Sequence, residues 1–385
     1  FGGTYLYVTD TGNNRITRHG ADGSFRGWIG KVSSSPTAGA AGCSGLANPN
    51  WAPGWCYGGT SASDTRAGAG GVNVPRGMGV DVAGDAFIVG DRNNHVLKKY
   101  TASTGAFVGW TGMVYGSPTG GDPGCNGAAV GVRTPGWCLG GTSGVGETIG
   151  SYQYPDGVSY DGSYWYLVDG YNNRLVRTTS AATPAGWLGG ARIFSRWDPL
   201  ETTTSGPAND INGANYDAMN SPYGIATAGT YVYVADRSNY RILRYGNTGT
   251  SEGWIGYASS NYQATGGDAG CAGLVSAVAA GWCRGGRATS SASGVGQLPT
   301  PGAVVTLGSY LYVTNDYGIH RYIYSTGAFA GWVGKVSSTP TGGAATCNST
   351  TSPNVTPGWC LGGVPTNGTS DGAGNSTQLG LASDG

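Results

Sequence analysis

Apolar and polar positions alternate with a period of two in five stretches of the chain, and the five are variants of one phrase. It reads YLYVTDTGNNRI from Tyr5, AFIVGDRNNHVL from Ala86, YWYLVDGYNNRL from Tyr164, YVYVADRSNYRI from Tyr231 and YLYVTNDYGIHR from Tyr310. Period-two alternation of aromatic and β-branched residues predicts a strand. The Asp, Asn and Gly that follow predict a turn, because short polar side chains bond nearby backbone there. A second strand follows, as in RITRH or RILRY. The marker positions are Asp10, Asp91, Asp169, Asp236 and Asn315, with gaps of 81, 78, 67 and 79 residues. A short apolar stretch after Pro75, Pro155, Pro222 or Pro301 precedes four of the hairpins. A Gly-Trp strand end follows all five, at Trp28, Trp110, Trp187, Trp254 and Trp332.

Four short strands per unit, repeated around an axis, describe the blade of an all-β propeller. The expectation is a single domain of five four-stranded blades, roughly 1–72, 73–151, 152–219, 220–296 and 297–385, with long Gly-rich inserts between them. Joining Gly385 to Phe1 would put the next marker 80 residues past Asn315, in step with the other gaps. LGLASDG from Leu379 reads as the first strand of the blade that begins at Tyr5. The last blade is therefore expected to close by joining N- and C-terminal strands, and closure removes exposed sheet edges. The same spacing fits strand exchange between neighbouring copies, or a segment of a longer tandem array.

The joined pattern of a Pro-Gly-hydrophobic strand and a VADTGNNRI-like hairpin resembles the NHL-repeat family. That resemblance covers about half of the chain, through all five units, and implies a propeller. It also implies a structural, turn-bracing role for Asp10, Asn13 and Arg15, for Asp169, Asn172 and Arg174, and for Asp236, Asn239 and Arg241. The second copy departs with Val96 in the Arg place beside Asp91, and the fifth with Asn315, Gly318 and His320. The long inserts also depart from the family, whose loops are short.

Composition narrows the setting. Glycine reaches 74 of 385 residues while charged residues make up 11%, against roughly 25% in an average domain. Lys+Arg and Asp+Glu both number 21. A balanced chain lacks the basic excess of a nucleic-acid binder, and a near-neutral surface tolerates close self-packing. No run of 18 apolar residues predicts a membrane span. A chain beginning at Phe1 reads as a processed form or a piece of something longer.

The eight cysteines fall into four local pairs, Cys43/Cys56, Cys125/Cys138, Cys271/Cys283 and Cys347/Cys360, each second one preceded by Trp. The repeat favours pairing within each insert over the other connectivities. Zinc wants closer ligand pairs, usually with His nearby. Disulfides point to an extracellular location, secreted or on the cell surface. The third insert has no Cys and carries Arg192, Arg196, Trp197, Asp198 and Glu201. It reads as an insert that lost its staple, or alternatively as a contact patch where the symmetry breaks.

Chemistry-bearing residues are sparse. The three histidines, His19, His95 and His320, show no metal or triad spacing. No catalytic or cofactor-binding residue is assigned. Asp10, Asp91, Asp169 and Asp236 around one axis could hold Ca²⁺, but bracing of their own turns is the reading preferred. Asp122 and Asp268, each shortly before a Cys, give little support to a calcium loop, since two of the four inserts lack the acid. N-x-S/T sites stand at Asn348, Asn354, Asn367 and Asn375, all in the last insert. The expectation is a non-enzymatic extracellular structural or adhesive protein that associates with itself into a homo-oligomer, fibre or layer. The alternative is a propeller that recognises a protein or a glycan. A metal-dependent lactonase or lyase stands behind both, because the ligand cluster such an enzyme needs is not visible.

Overall fold

The computed structural model describes residues 5–148, 150–189, 197, 218–289 and 296–366. The described chain is all-β, with only short 3-10 turns of three residues beside its strands. It divides into two compact units. The first holds residues 5–188 and Trp197, and the second holds Gly189 and everything described from 218 onward.

Three antiparallel sheets build the first unit. The first sheet runs Tyr5–Asp10, Arg15–Gly20, Phe25–Ser34, Cys56–Tyr57 and Ala38–Gly39 in spatial order, and Thr60–Ala62 pairs with the far half of the long third strand. The second repeats this plan after an added inner strand: Pro75–Asp81, Ala86–Asp91, Val96–Thr101, Phe107–Gly116, Cys138–Leu139 and Gly120–Gly121, with Thr142–Gly144 on the long strand. The third has four strands, Pro155–Tyr160, Trp165–Asp169, Arg174–Thr178 and Pro184–Gly189. Their inner strands face one another: Tyr5–Asp10 packs on Pro75–Asp81, and Pro75–Asp81 on Pro155–Tyr160.

The second unit has two such sheets. The fourth sheet is Pro222–Ala228, Tyr231–Asp236, Arg241–Gly246, Ser251–Gly256, Cys283–Arg284 and Gly266–Gly267. The fifth is Val304–Leu307, Tyr310–Asn315, Gly318–Ile323, Phe329–Ser338, Cys360–Leu361 and Gly342–Gly343, with Val364–Thr366 added. Up-and-down sheets of four to seven strands, packed through their inner strands within each unit, make a propeller-like architecture.

Two features differ from the sequence expectation. Four of the five sheets exceed four strands, because the inserts are not loops between blades. Each cysteine-bearing insert folds back as a two-stranded ribbon on the outer strand of its own sheet, with Cys56 opposite Trp28, Cys138 opposite Trp110, Cys283 opposite Trp254 and Cys360 opposite Trp332. The first sheet, moreover, has no strand beyond Tyr5–Asp10 among the described residues. The LGLASDG segment expected there lies outside them.

Aromatic side chains carry the cores. Trp28, Trp110, Trp187, Trp254 and Trp332 are all buried. Tyr7, Trp28, Trp55, Phe87 and Tyr100 join one cluster that links the first two sheets. Tyr233, Trp282, Leu311 and Tyr322 join another that links the fourth and fifth.

Candidate functional site

The groups that recur from repeat to repeat form three constructions, starting with the hairpin acid. Alternation along Tyr231–Asp236 turns Asp236 inward, and a three-residue 3-10 turn brings Asn239 and Arg241 back onto it. The turn ends on a left-handed residue, Asn14, His95 or Tyr240 in three of the hairpins; Asn adopts that conformation most readily. Asp236 accepts hydrogen bonds from Asn239 Nδ2 (2.9 Å), Arg241 Nε (2.7 Å) and the Asn220 backbone N–H (2.7 Å). Asp169 accepts from Asn172 (2.8 Å), Arg174 (2.9 Å) and the Gln153 N–H (2.7 Å). Asp10 accepts from Asn13 and Arg15 at the surface.

Asp91 lacks the arginine because Val96 stands in its place. The cation comes instead from Lys98, two residues along, whose ammonium lies 3.0 Å from Asp91 Oδ2 with both side chains fully buried. Lys98 also donates to the carbonyls of Arg66, Ala69 and Gly71. Burial pushes the carboxyls of Asp91, Asp169 and Asp236 up, and their cations and N–H donors pull them back. Each of these acids spends its lone pairs on its own turn, so the hairpin positions brace the blades. Among the described residues no three His, Cys, Asp or Glu side chains stand together as a metal site.

The fifth hairpin differs in length as well as in residue type. Asn315 pairs directly with Gly318 across a two-residue turn, whereas Asp91 pairs with Val96. His320 therefore sits not in the arginine place, as counting along the sequence suggests, but opposite Val313, where Lys98 stands opposite Val89. His320 is 1% exposed, neither ring nitrogen has a partner, and burial lowers its pKa to about 3.

The second construction is the stapled insert. Four disulfides close it, with Cα–Cα distances of 5.2 to 5.6 Å. The tryptophan opposite each second cysteine donates its indole N–H to the glycine two residues on: Trp28 to Gly58, Trp110 to Gly140, Trp254 to Gly285 and Trp332 to Gly362, at 2.8 to 3.0 Å. The second residue of the opposing ribbon strand must be glycine. A Cβ on Gly121, whose φ is +109°, would lie 2.4 Å from the Trp137 carbonyl oxygen. Asp122 and Asp268 accept the backbone N–H groups of Trp137 and Trp282, which employs them inside the insert. Asn348 and Asn354 are exposed, while Asn367 and Asn375 lie outside the described residues.

The third construction was missed in the sequence. In the first three cysteine inserts the Trp before the second cysteine does not stay in its own insert. Trp55 donates to the Ala102 carbonyl of the second sheet (3.0 Å), Trp137 to Ser180 of the third (2.9 Å), and Trp282 to Tyr324 of the fifth (3.0 Å). On its other side the indole meets a cation that also covers a tyrosine. Arg18 lies 4.5 Å from the Tyr5 ring and 4.7 Å from Trp55; Arg244 lies 4.7 Å from Tyr231 and 4.5 Å from Trp282; Arg321 lies 4.4 Å from Tyr310 and 4.5 Å from Trp359. These are cation–π distances. In the second sheet Ala86 replaces the tyrosine and Lys99 replaces the arginine, 5.5 Å from Trp137. Arg18 and Arg244 reach further, donating to the Ser103 and Ser325 carbonyls of the next sheet (2.7 and 2.8 Å). The first three cysteine inserts are thus clamps from one sheet to the following one. The signal was present: a basic residue recurs eight positions after each of the first four markers, and six after Asn315 because that turn is two residues shorter.

The third insert, expected to have lost its staple or alternatively to form a contact patch, lies almost wholly outside the described residues. Of Arg192, Arg196, Trp197, Asp198 and Glu201, only Trp197 is described. It is buried, with Arg177 4.6 Å from its ring and 4.4 Å from Tyr164. Trp197 fills the clamp position without a disulfide.

No family model matches the chain, and no curated protein matches it. Among solved structures, the chain is similar to one titled "Crystal structure of Nidogen/Laminin Complex", with a TM-score of 0.36 and 10% identity over 86% of this chain and 80% of that one. Among the described residues, no helix is long and apolar enough to cross a membrane. The described architecture is propeller-like and disulfide-stapled, and four disulfides are the mark of an oxidising, extracellular environment.

Proposed function

We propose that this chain is a non-enzymatic, secreted or surface-held structural protein that associates with itself. In this reading its five NHL-like repeats are the blades of one propeller, and the last blade combines N- and C-terminal strands. One observation carries the proposal: a stapled insert holds apolar side chains out on a surface with few charges to keep copies apart. Around the second insert Tyr115, near the end of the strand Phe107–Gly116, is 72% exposed, Val130 59% and Val145 53%. The Val114 backbone exchanges hydrogen bonds with Gly131 and Val132, and Gly144 sits against Tyr115, so these side chains share one neighbourhood. Contiguous exposed apolar groups mark interaction surfaces. Net charge is zero, which removes the repulsion that would oppose self-packing.

Sedimentation velocity over a hundredfold range of concentration tests this. Association that grows with concentration and weakens in Tyr115→Glu supports it. A monomer at every concentration overturns it. A glycan array serves the competing reading, in which exposed Tyr115, Tyr171 and Trp51 stack on sugar rings; specific hits from a strictly monomeric protein would favour that reading instead.

A further inference from the structure

Within the first unit a second connection joins neighbouring sheets, from the hairpin turn of one to the residue before the proline of the next. Val74 and Tyr154 stand in that place ahead of Pro75 and Pro155, and both are left-handed, with φ of +57° and +55°. A β-branched or aromatic residue keeps that conformation only where its surroundings hold it. Each sends its N–H to the left-handed residue that ends the preceding sheet's turn. Val74 N–H donates to Asn14 Oδ1 at 2.8 Å, and Tyr154 N–H donates to His95 Nδ1 at 3.2 Å.

The two acceptors differ chemically. An amide oxygen accepts whether the solution is acid or neutral. An imidazole nitrogen accepts only while it is bare, because imidazolium carries an N–H at both ring positions. A backbone N–H can only donate, so the bond itself identifies Nδ1 as the bare nitrogen of a neutral His95 ring.

The surroundings of His95 oppose a charge there. Its ring packs on Tyr154 with centroids 4.8 Å apart, and the Arg92 guanidinium lies 4.5 Å from the same Tyr154 ring. Arg92 belongs to the same turn as His95, and burial together with that cation holds the imidazole below its ordinary pKa. The acid facing the pair from the third sheet is Asp156, which is engaged with Arg92 Nε at 3.1 Å. Tyr171 of the third sheet meets Tyr154 edge-on at 6.0 Å and presents a phenol. The other elements against the turn present uncharged groups: Gly112 lies beside the His95 carbonyl, and Ser143 Oγ donates to the Asn94 carbonyl.

We propose that His95 is an acid-released latch between the second and third sheets. Uptake of a proton at Nδ1 removes the acceptor of the Tyr154 N–H and places a second cation beside Arg92. The left-handed Tyr154 then loses the contact that holds it, and the segment ahead of Pro155 loosens together with the Tyr171 ring that rests on Tyr154. Asn14 makes the matching joint between the first and second sheets indifferent to acid, so acidification opens one joint and leaves its neighbour closed. The latch does not depend on self-association.

Hydrogen exchange of the full chain at pH 7.5 and 4.5, corrected for the intrinsic pH dependence of exchange, tests it. Protection of the Tyr154 amide should fall about tenfold on acidification, the loss of roughly one hydrogen bond, while the Val74 amide keeps its protection. His95→Asn, which copies the acceptor of the first joint, should keep Tyr154 protected at both pH values. An equal fall in wild type and His95→Asn, or no fall in wild type, overturns the latch. An NMR titration of the wild type decides without any variant. The His95 ring and the Tyr154 amide should shift together with one midpoint below 6.5, and separate midpoints overturn the assignment.

Discussion

Lowering the pH should destabilise the second unit through one side chain, His320. It is buried opposite Trp332 and Val313, with the Tyr322 and Phe329 rings 6.5 and 5.7 Å away, and neither of its nitrogens has a partner. Burial holds its pKa at about 3, against 6.5 for an unperturbed imidazole. The folded protein therefore keeps it neutral, while the unfolded chain takes up a proton as pH falls through 6.5. Stability is fully present above that value and drains away between about 6.5 and 3. Each unit of pH in this window costs about 1.4 kcal/mol, so pH 4.5 should remove about 3 kcal/mol relative to pH 7.5. His320→Leu abolishes this component, and Leu243 shows that leucine suits the same register position in the fourth sheet. The assay is urea unfolding followed by tryptophan fluorescence, for both proteins at pH 7.5 and 4.5. Other acid-sensitive groups contribute equally to both, including His95, whose pKa is lowered by burial and by Arg92. The difference between the two pH dependences isolates His320. If wild type and variant lose the same stability on acidification, the buried, unpartnered state assigned to His320 is wrong.

Arg241→Met should cost about 3–5 kcal/mol in chemical denaturation, because it strands the buried Asp236 carboxylate; a loss under 1 kcal/mol would show that this acid does not depend on its arginine. Trp55→Ala should destabilise the first unit by about 3–5 kcal/mol, since it empties the clamp between two sheets, and hydrogen exchange should rise in the Ala102 turn as well as in the insert. Reduction of Cys43–Cys56 removes a constraint worth about 3 kcal/mol in the chain-entropy model; the Cys43→Ala/Cys56→Ala variant should show that loss and faster proteolysis between residues 40 and 55. Gly121→Ala should loosen the second insert, read as lower protection of the Cys138 amide, because the ribbon has no room for a Cβ.

Much of the fold was legible in the residues, and the reasons are local. Alternation in YVYVAD gives a strand whatever surrounds it, and the Asp-Asn-Arg set closes its own turn within six residues. The strand partners of the inserts were not legible. Gly120–Gly121 carries no strand propensity, and its pairing with Cys138 depends on a disulfide and on a glycine that lets the ribbon approach Trp137. Lys98 was hidden because substitution and compensation lie two positions apart, on one face of a strand. His320 was misplaced by counting, since a turn shortened by two residues shifts its register. The clamps were visible as recurring Arg and Trp, but which sheet each tryptophan reaches is a property of packing between repeats.

The measurement that bears most directly on the account is electron microscopy of the wild-type chain at concentrations where the sedimentation profile changes. The account predicts ordered assemblies of propeller-like particles repeating at a constant spacing. Isolated single particles at every concentration would contradict it.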